Sequence, residues 1–460
     1  MRPQFGTSGL RGLVRDLTAP CVTQYVQAFL ASCSIGTGVL VGHDLRGSSP
    51  NLANIVADAV RSMGTSVTLC GPVPTPALAF AALAQKAGAI MVTGSHIPAD
   101  RNGLKFYTVA GEITKQDEAM ILDALGQQRT TDISGSLRID GTVQDLYAAR
   151  YHRAFTGALQ GRHIGVYQHS AVGRDELGHL LESLGARVTA LGRAKEFIPI
   201  DTEAVSDRLR QQLRDWAKGV QFDAIVSTDA DGDRPLLADH NGTVVPGDIL
   251  GQIAAQAMRA DTVVTPVSSN TSVERLGVIG RVIRTKIGSP HVIAAMTTTG
   301  GKVAGYEANG GFLLGFDARG PSGDIARLMT RDAVLPILAT LAAATVAPVA
   351  EVAARQMLRI TATDRLQGID PCFAKAYLQS LQEDPVEIQK LLGAQQSDVA
   401  TIDQTDGLRM TMHNGQIVHL RLSGNAPEMR IYVEADEDFQ AKQSLRDVLC
   451  GLAGHVQLLI

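Results

Sequence analysis

The sequence predicts an α/β protein that carries a smaller α+β segment at its C-terminal end. Over the first 355 residues, apolar runs of strand length alternate with helical patterns, which is typical of mostly parallel sheets with helices on their faces. Beyond residue 355, polar helical stretches meet two strand-like runs and a terminal helix. The chain has 460 residues, of which 45% are hydrophobic, so its length suits three or four domains with large buried cores.

The α/β pattern consists of three successive cycles. The first cycle contains GVLVGHD, a helix over about 50–63, SVTLC, a helix over about 76–86, and GAIMVT. The second cycle contains HIGVYQHS, a helix that ends in ESLGA, RVTAL and FDAIVST; the third contains DTVVTPVSS, a helix over SVERLG, and RVIRTKIG. The last segment contains GQIVHLRLSG, MRIYVEA and a terminal helix. We expect the resulting domains to be 1–154, 155–250, 251–355 and 356–460.

Composition narrows the class of protein. The net charge of −4 provides no broad basic field for nucleic acid. The five cysteines are scattered and never spaced CxxC, which suits a reduced cytoplasmic protein. The N-terminal MRPQFGTSGLRG has no apolar core for a signal peptide, and the uncharged stretch 333–350 is interrupted by prolines, so it favours a buried helix over a membrane span. We expect a cytoplasmic protein with no membrane, nucleic-acid or obligate protein partner.

The stretch TGSHIP places Ser95 directly after the strand-like run GAIMVT. The carboxyl ends of strands in open α/β sheets are where ligands bind, so Ser95 is a candidate reactive hydroxyl. A serine that bonds its own turn is the structural alternative. His96 is adjacent in sequence, which usually turns its side chain the other way, and the sequence has no GxSxG elbow, so the pattern does not favour a Ser-His dyad.

Three alternating aspartates, Asp229, Asp231 and Asp233, follow the strand DAIV in STDADGDRP. Such carboxylates repel one another unless a cation gathers them, and hard oxygen ligands suit Mg²⁺ or Ca²⁺. The EF-hand pattern fails, because Arg234 stands where it needs glycine and His240 where it needs glutamate. A solvated acidic turn is the alternative. Three carboxylates on one divalent ion leave room for a phosphate oxygen.

Two further loops carry polar groups suited to a phosphosugar. In RLSGNAPEMRIYVEA, a glycine turn between strands is surrounded by donors that suit a phosphate dianion, namely Arg421, Ser423, Gly424, Asn425 and Arg430. In GYEANGGFLLG, Glu307 and Asn309 could grip two sugar hydroxyls beside glycines that allow close approach. Taken separately, an ordinary hairpin and a glycine-rich loop explain the two segments equally well.

Five segments together resemble the α-D-phosphohexomutase superfamily, which contains phosphomannomutases and phosphoglucomutases. In order and spacing they are FGTSGLRG at 5–12, TGSHIPADRNGLKFY at 93–107, DADGDR at 229–234, GYEANGG at 305–311 and RLSGNAPEMR at 421–430. HDLRGSS, GPVPTP and TKIGSP add to the resemblance, which covers almost the whole chain. It implies three related α/β domains and a smaller C-terminal α+β domain around a central cleft.

The resemblance also implies the chemistry. Ser95 would be a phosphoserine primed by a hexose 1,6-bisphosphate, with Mg²⁺ held by its phosphate and by the three aspartates. The phosphate of a 1-phosphosugar would bind the loop at 421–430 while its 6-hydroxyl attacks the phosphoryl group on Ser95. The superfamily positions around that phosphoryl group match Lys105, Arg11 and His96. We expect proton transfer by Lys105, because a lysine crowded by cations can lose its proton. Arg234 and Lys286 match positions that contact the phosphosugar.

The chain departs from the superfamily pattern at several positions. Gly94 and Ile97 flank the serine where alanine and asparagine are common, and Asn425 replaces a threonine hydroxyl with an amide. Asn309 and Gly311 stand where the bacterial phosphomannomutase/phosphoglucomutase type has serine and histidine. Each charged part of the phosphoryl-transfer apparatus is present.

The resemblance leaves the substrate open. We expect mannose phosphate first and glucose phosphate close behind. The two sugars differ only at the 2-hydroxyl, so the sequence does not discriminate sharply between them. The EANGG loop also resembles those of phosphoacetylglucosamine and phosphoglucosamine mutases. Two other classes are a haloacid-dehalogenase-type enzyme with Asp229 as nucleophile, which Asp233 argues against, and a hexose-phosphate sensor that turns nothing over.

Overall fold

The computed structural model describes residues 3–127, 131–392, 399–423 and 428–457. Four main sheets follow one another along the chain, and a separate two-stranded sheet is inserted between strands of the third. The α/β prediction is confirmed, while the predicted boundaries at 154, 250 and 355 stay a prediction. Among the described residues, no helix is long and apolar enough to cross a membrane.

The first sheet has eight strands flanked by four helices, and a fifth helix follows its last strand. In chain order they are β1 (Gln4–Phe5), β2 (Leu10–Leu13), α1 (Ala19–Ser32), β3 (Val39–His43), α2 (Ser49–Ser62), β4 (Val67–Pro72), α3 (Thr75–Gln85), β5 (Gly88–Val92), β6 (Arg101–Thr108), β7 (Gly111–Glu112), α4 (Lys115–Asp123), β8 (Leu137–Ile139) and α5 (Val143–Phe155). The strand order is β1-β2-β6-β5-β3-β4-β8, with β7 beside β6. The predicted helices over about 50–63 and 76–86 match α2 and α3 to within a residue or so at each end.

The second and third sheets repeat a common plan of parallel strands extended by antiparallel ones. The second comprises β9 (His163–His169), α6 (Arg174–Ser183), β10 (Arg187–Arg193), α7 (Asp207–Gly219), β11 (Ala224–Thr228) and β12 (Pro235–Asp239). Its order is β10-β9-β11-β12, with β12 antiparallel. The third unit comprises α8 (Gly247–Ala257), β13 (Thr262–Pro266), α9 (Ser272–Leu276), β14 (Arg281–Thr285), α10 (Ser289–Thr298), β15 (Val303–Tyr306), β16 (Phe312–Leu314), β17 (Ala318–Arg319), β18 (Asp324–Ile325), β19 (Leu328–Asp332), α11 (Val334–Ala343) and α12 (Val349–Gln356). Its main sheet has the order β14-β13-β15-β16-β19.

The fourth unit is an antiparallel sheet with helices, as the change of pattern after residue 355 predicts. It comprises β20 (Ile360–Gln367), α13 (Pro371–Glu383), α14 (Pro385–Leu392), β21 (Val399–Asp403), β22 (Leu408–Met412), β23 (Ile417–Leu422), β24 (Glu428–Ala435) and α15 (Asp438–Gln457). The strand order is β20-β24-β23-β22-β21.

The expectation of mostly parallel sheets is wrong for the first and third sheets, which are mixed. In each of the first three units a parallel strand is followed by a short loop and an antiparallel return, as in β5–β6, β11–β12 and β15–β16. A short connection can only produce an antiparallel neighbour, because a parallel one needs a crossover of a dozen residues or more. The apolar runs alone did not distinguish the two cases.

One apolar cluster spans the first three units, each of which also has a cluster of its own, whereas the fourth unit has a separate core. A single cluster of buried apolar side chains includes Leu78, Val166, Val226 and Phe312 from the first three units. The apolar residues of the fourth unit form a separate cluster around Leu420 and Ile431. Polar contacts join the fourth unit to the third: the guanidinium of Arg275 donates to Asp436 at 2.8 Å, and the backbone N–H of Thr271 donates to Glu434 at 3.1 Å.

A buried carboxylate ties the first unit to the third. Asp332 is 1% exposed and accepts hydrogen bonds from the hydroxyls of Tyr147, at 2.5 Å, and Tyr151. Arg150 lies 3.3 Å from the same carboxylate, so helix α5 is fastened to the end of β19. The carboxylate also accepts from the backbone N–H of Val334 at 2.9 Å, which helps to start α11.

Replacing this carboxylate should destabilise the protein. We expect Asp332→Ala to lower the free energy of unfolding by about 3–5 kcal/mol, because it leaves a buried arginine and two hydroxyls without their acceptor. Chemical denaturation followed by circular dichroism would measure the change. Asp324→Ala, at a carboxylate whose side chain is 78% exposed, serves as the control and should change the free energy by less than about 1 kcal/mol. Equal effects of the two substitutions would contradict the assignment.

Candidate active site

The serine, aspartate and sugar motifs lie in loops that connect antiparallel strands, and the phosphate motif follows β23. The loops after β5, β11 and β15 and the end of β23 meet at one cavity. Of the residues predicted from sequence, eight line this cavity: Arg11, His96, Arg234, Glu307, Asn309, Arg421, Ser423 and Arg430. Gly424 and Asn425 lie outside the described residues. The structure therefore brings together groups from all four units.

Ser95 is held in a fixed conformation at the start of its loop. It is fully buried, its φ of +51° lies in the left-handed region, and its backbone N–H donates to Thr93 Oγ1 at 2.8 Å. Its Oγ donates to Asp229 Oδ2 at 2.6 Å, across the gap between the first and second units. The serine predicted as a reactive group thus lies beside the aspartate cluster.

His96 does not form a catalytic dyad with Ser95 in this geometry. The Ser95 Oγ to His96 Nδ1 distance is 3.5 Å, beyond the usual range for a strong hydrogen bond. Burial, reinforced by the charge of Arg234, lowers the pKa of His96 well below its usual value, so the imidazole is neutral.

The serine loop is built around Arg46, a residue that the sequence analysis did not single out. The Arg46 guanidinium is almost fully buried and donates to the carbonyl oxygens of Ser95, Ile97, Pro98 and Arg101 at 2.6–3.0 Å. Asp44 accepts from its Nε at 3.1 Å, and this ion pair holds the guanidinium in place. HDLRGSS, at the end of β3, contains both residues, so the sequence pointed to this motif but not to its role in holding the serine loop.

The guanidinium of Arg46 is enclosed between two surfaces. One is the ring of Phe197 from the second unit, whose centroid lies 4.1 Å from the guanidinium carbon. The other is the backbone at Gly94, where an added Cβ would lie 2.5 Å from that carbon. Gly94, where related chains commonly have alanine, is therefore matched to the close approach of Arg46.

The three aspartates form a compact cluster that is almost entirely buried. Ligand oxygens of Asp229, Asp231 and Asp233 all lie within 4.8 Å of one another. Burial, and then the charges of the other two aspartates, raise the pKa of Asp229 well above its usual value. Burial acts in the same direction on Asp231, but the nearby Lys105 ammonium holds the pKa of that carboxyl well below its usual range. The cluster thus needs added positive charge to be fully ionised.

The donor set fits a hard divalent cation. Oδ1 of Asp231 and Oδ1 of Asp233 are buried and have no hydrogen-bond partner among the described residues. Unpaired buried carboxylate oxygens are costly, and metal coordination is one way to satisfy them. The Asp229 carboxylate is oriented by the backbone N–H groups of Asp233, at 3.1 Å, and Arg234, at 3.2 Å.

Lys105 and Arg11 reach the site from adjacent strands. Register pairs Arg11 of β2 with Gly103 of β6, and Lys105 of β6 with Met91 of β5, one residue before the end of that strand. Lys105 Nζ lies 2.6 Å from both Asp231 Oδ2 and Asp233 Oδ2. We expected a lysine crowded by cations, whereas its ion-pair partners are two carboxylates. Burial lowers the pKa of Arg11 to about 10, which still leaves it charged at neutral pH.

The predicted phosphate-binding residues lie on β23 and β24. Arg421 Nε is 3.4 Å from Asp406 Oδ1, and Arg430 Nε donates to Glu428 at 3.1 Å. The Ser423 N–H donates to the Glu428 carbonyl at 2.9 Å, which extends the pairing of the two strands. Lys286 is exposed, while its neighbour Ile287 lines the cavity.

The predicted sugar loop is fixed by its own backbone and by Arg331. The Glu307 carbonyl accepts from the Gly310 N–H at 2.9 Å, and Asn309 Oδ1 accepts from the Gly311 N–H at 3.0 Å. Glu307 Oε2 lies 3.3 Å from Arg331 NH1. Arg331 belongs to β19, carries no recognisable motif and was missed in the sequence.

The segment 197–203 of the second unit was also missed, although it touches the other three units. Besides the contact of Phe197 with Arg46, Thr202 Oγ1 donates to the Asn309 carbonyl at 2.9 Å. Glu203 lines the cavity and accepts from the Tyr432 hydroxyl at 3.1 Å. No chemical motif marks this segment, because its role depends on which loops surround it.

Three models of known protein families match most of the chain. The models for phosphoglucomutase/phosphomannomutase alpha/beta/alpha domain I, alpha/beta/alpha domain III and C-terminal domain match residues 2–132, 246–359 and 375–450. A phosphomannomutase from Sinorhizobium fredii is 42% identical, over 98% of this chain and 99% of the relative. A phosphomannomutase from Salmonella muenchen is also 42% identical, over 97% of this chain and 95% of the relative. A phosphoglucosamine mutase from Anaeromyxobacter dehalogenans is 30% identical, over 67% of this chain and 74% of the relative.

Solved structures share the fold. A phosphoglucomutase/phosphomannomutase family protein from Burkholderia thailandensis superposes with a TM-score of 0.77 at 21% identity, covering 99% of this chain and 98% of that one. The Aspergillus fumigatus N-acetylphosphoglucosamine mutase, solved in complex with GlcNAc-6P and magnesium, gives a TM-score of 0.60 at 14% identity, covering 98% and 96% of the two chains.

The contact between Gly94 and Arg46 predicts that the serine loop does not tolerate a larger residue. We expect Gly94→Ala to lower the catalytic activity of the site roughly 10- to 100-fold, because displacing Arg46 moves the candidate reactive serine. Gly47→Ala, in the neighbouring HDLRGSS segment, is the control, since an added Cβ there meets no atom within 4 Å. Steady-state kinetics would measure both variants, and unchanged turnover by Gly94→Ala would refute the role given to Arg46.

The unpaired aspartate oxygens predict weaker cation binding when one carboxylate is neutralised. We expect Asp231→Asn to weaken Mg²⁺ binding at least about tenfold, since changes to residues that only support metal ligands already cost 10- to 100-fold. Isothermal titration calorimetry would measure the dissociation constant. Asp215→Asn, on α7 with a side chain 58% exposed, should leave it unchanged. Equal affinities of the Asp231 variant and the natural protein would rule out this site.

Proposed function

This chain belongs to the phosphoglucomutase/phosphomannomutase family, and from that membership we propose that it interconverts mannose 1-phosphate and mannose 6-phosphate. As a family member it is an isomerase that moves a phosphoryl group within a phosphosugar. The observation that carries the proposal is the 2.6 Å contact between Ser95 Oγ and Asp229, beside a cavity that is lined by five arginines and by His96, the neighbour of Ser95. A reactive hydroxyl, a carboxylate cluster and several guanidiniums in one cleft suit transfer between two phosphate positions.

In the proposed reaction Ser95 carries the phosphoryl group. The 6-hydroxyl oxygen of mannose 1-phosphate forms a bond to phosphorus while the bond from Ser95 Oγ to phosphorus breaks. The hydroxyl proton passes to a base, and the serine oxygen recovers a proton. The product is mannose 1,6-bisphosphate, which turns round and returns its 1-phosphate to Ser95. The same bisphosphate would prime the serine at the outset.

Lys105 is our candidate for the proton transfers, with Arg11 and the neutral His96 beside the phosphoryl group. Lys105 is 2% exposed, and its ammonium group contacts the carboxylates of Asp231 and Asp233. An ammonium with two acidic neighbours can also act by charge alone, and a Lys105→Arg variant distinguishes the two roles, because arginine retains the charge but does not transfer protons.

Asp229, Asp231 and Asp233, together with the phosphate on Ser95, would hold Mg²⁺. When bound, the ion offsets negative charge on the phosphoryl oxygens. The unpaired oxygens of Asp231 and Asp233 support this assignment, as does the magnesium in the related Aspergillus mutase.

The non-reacting phosphate would bind Arg421, Ser423 and Arg430, with Gly424 and Asn425 completing the loop. Arg234 would contact the transferring phosphoryl group, Glu307 and Asn309 would grip sugar hydroxyls, and Lys286 would reach the phosphosugar from the rim. Both ends of the sugar must use the same pocket in turn. A fourth unit with a separate apolar core suits a pocket that has to loosen between the two half-reactions.

Mannose phosphate is the proposed substrate because the two relatives at 42% identity are named phosphomannomutases, while the phosphoglucosamine mutase is at 30%. We propose that small hexose phosphates are the sole partners the reaction needs. A cytoplasmic location is consistent with the five free cysteines.

The proposal predicts that Ser95→Ala abolishes turnover while phosphosugar binding remains. We expect the loss to exceed about 10⁴-fold, as for other enzymes deprived of their nucleophile. Coupled assays would measure turnover and calorimetry would measure binding, with Ser183→Ala on α6 as the control at a distant, exposed serine. Appreciable residual mutase activity would exclude Ser95 as the phosphoryl carrier.

The substrate is tested by comparing mannose 1-phosphate, glucose 1-phosphate and N-acetylglucosamine 1-phosphate with Mg²⁺ and a trace of the matching bisphosphate. Fastest formation of mannose 6-phosphate supports the proposal. Activity confined to the amino sugar would reassign the substrate, and binding without turnover by a serine shown to be unphosphorylated would identify a sensor.

A further inference from the structure

Arg331 links two parts of the cleft that are far apart in sequence. It lies on β19 with 5% of its side chain exposed. Its NH2 group is 2.9 Å from Asp233 Oδ2 in the metal-binding loop, and its NH1 group is 3.3 Å from Glu307 Oε2 in the sugar loop. One planar group thus contacts a proposed metal ligand and a proposed sugar ligand at the same time.

The position of Arg331 depends on the absence of a side chain at Gly311. A Cβ added at Gly311 would lie 2.8 Å from Arg331 Cδ and 3.0 Å from the Asp233 carbonyl oxygen. The arginine from β19 fills the space that a side chain at position 311 would need.

The bonding of Arg331 is incomplete. Its Nε is buried and has no hydrogen-bond partner among the described residues, although the side chain lines the cavity. A buried guanidinium normally uses its donors, because an unpaired one costs free energy. A bound phosphosugar would provide oxygen acceptors in the same cavity.

We infer that Arg331 is a positioning residue for the mutase reaction, which holds Glu307 for the sugar and Asp233 for the metal in a fixed relation. This inference rests on the proposed function. Because this side chain contacts both carboxylates, a displacement of one loop would also displace the other.

The charge of Arg331 has a second consequence. Its guanidinium lies beside Asp233 and opposes a divalent cation there, while it favours anionic substrate in the cavity. Removing the charge should therefore strengthen Mg²⁺ binding and weaken phosphosugar binding. A residue that only stabilised the fold would weaken both together.

Two substitutions at Arg331 test this pair of effects. We expect Arg331→Gln to tighten Mg²⁺ binding roughly threefold in calorimetry, because a neighbouring like charge is lost. We expect it to raise the KM for mannose 1-phosphate roughly tenfold, as for loss of a charge-assisted hydrogen bond. Arg331→Lys retains the charge but not the planar fork, so KM should rise while Mg²⁺ affinity stays the same. Arg327→Gln, exposed and four residues earlier, is the matched control.

Parallel loss of Mg²⁺ affinity, substrate affinity and thermal stability in Arg331→Gln would overturn the inference. If Arg331→Gln does not fold, Gly311→Ala gives an independent test, since it displaces the arginine without removing it. A raised KM in Gly311→Ala supports the inference, and an unchanged KM overturns it. Absence of turnover by the natural protein would instead refute the proposed function, while the Mg²⁺ titrations would still test the charge effect.

Discussion

The architecture depends on the repulsion among three buried aspartates. Asp229, Asp231 and Asp233 are held within 4.8 Å by a single short loop, and their charges cannot be balanced inside that loop. Lys105 from the first unit and Arg331 from the third provide part of the balance at 2.6–2.9 Å. Balancing the charge of these buried aspartates therefore requires groups from the first and third units. The apolar cluster that spans these three units packs them together.

The sheets explain why the functional loops coincide. Each motif follows a strand that ends at the cleft, and the chain returns as an antiparallel neighbour after β5, β11, β15 and β23. Because both strands of such a pair are hydrogen-bonded within a sheet, each loop is anchored at both ends. A polar loop of five to eight residues can then hold groups such as Ser95 or Glu307 in a defined position without a helix to support it.

Much of the fold could be predicted from local patterns, because helices such as α2 and strands such as β11 have strong periodicity of their own. The antiparallel strand β16 and its partner β19 could not, since an apolar run does not reveal its direction. The motifs found in the sequence lie in loops whose composition is unusual. Arg46, Arg331 and Glu203 were missed because their importance depends on contacts between distant segments. The role of Gly311 became clear only with Arg331 beside it.

The arginines of the cavity also bear on how a ligand arrives. The chain as a whole has a net charge of −4, yet among the described residues five guanidiniums and two carboxylates, those of Glu203 and Glu307, line the cavity. A dianion approaching from solution is therefore repelled by the average surface and attracted towards one opening. Such a field raises the rate of diffusional encounter and is screened over about 8 Å at physiological ionic strength. The distribution of charge thus guides capture before any specific contact forms.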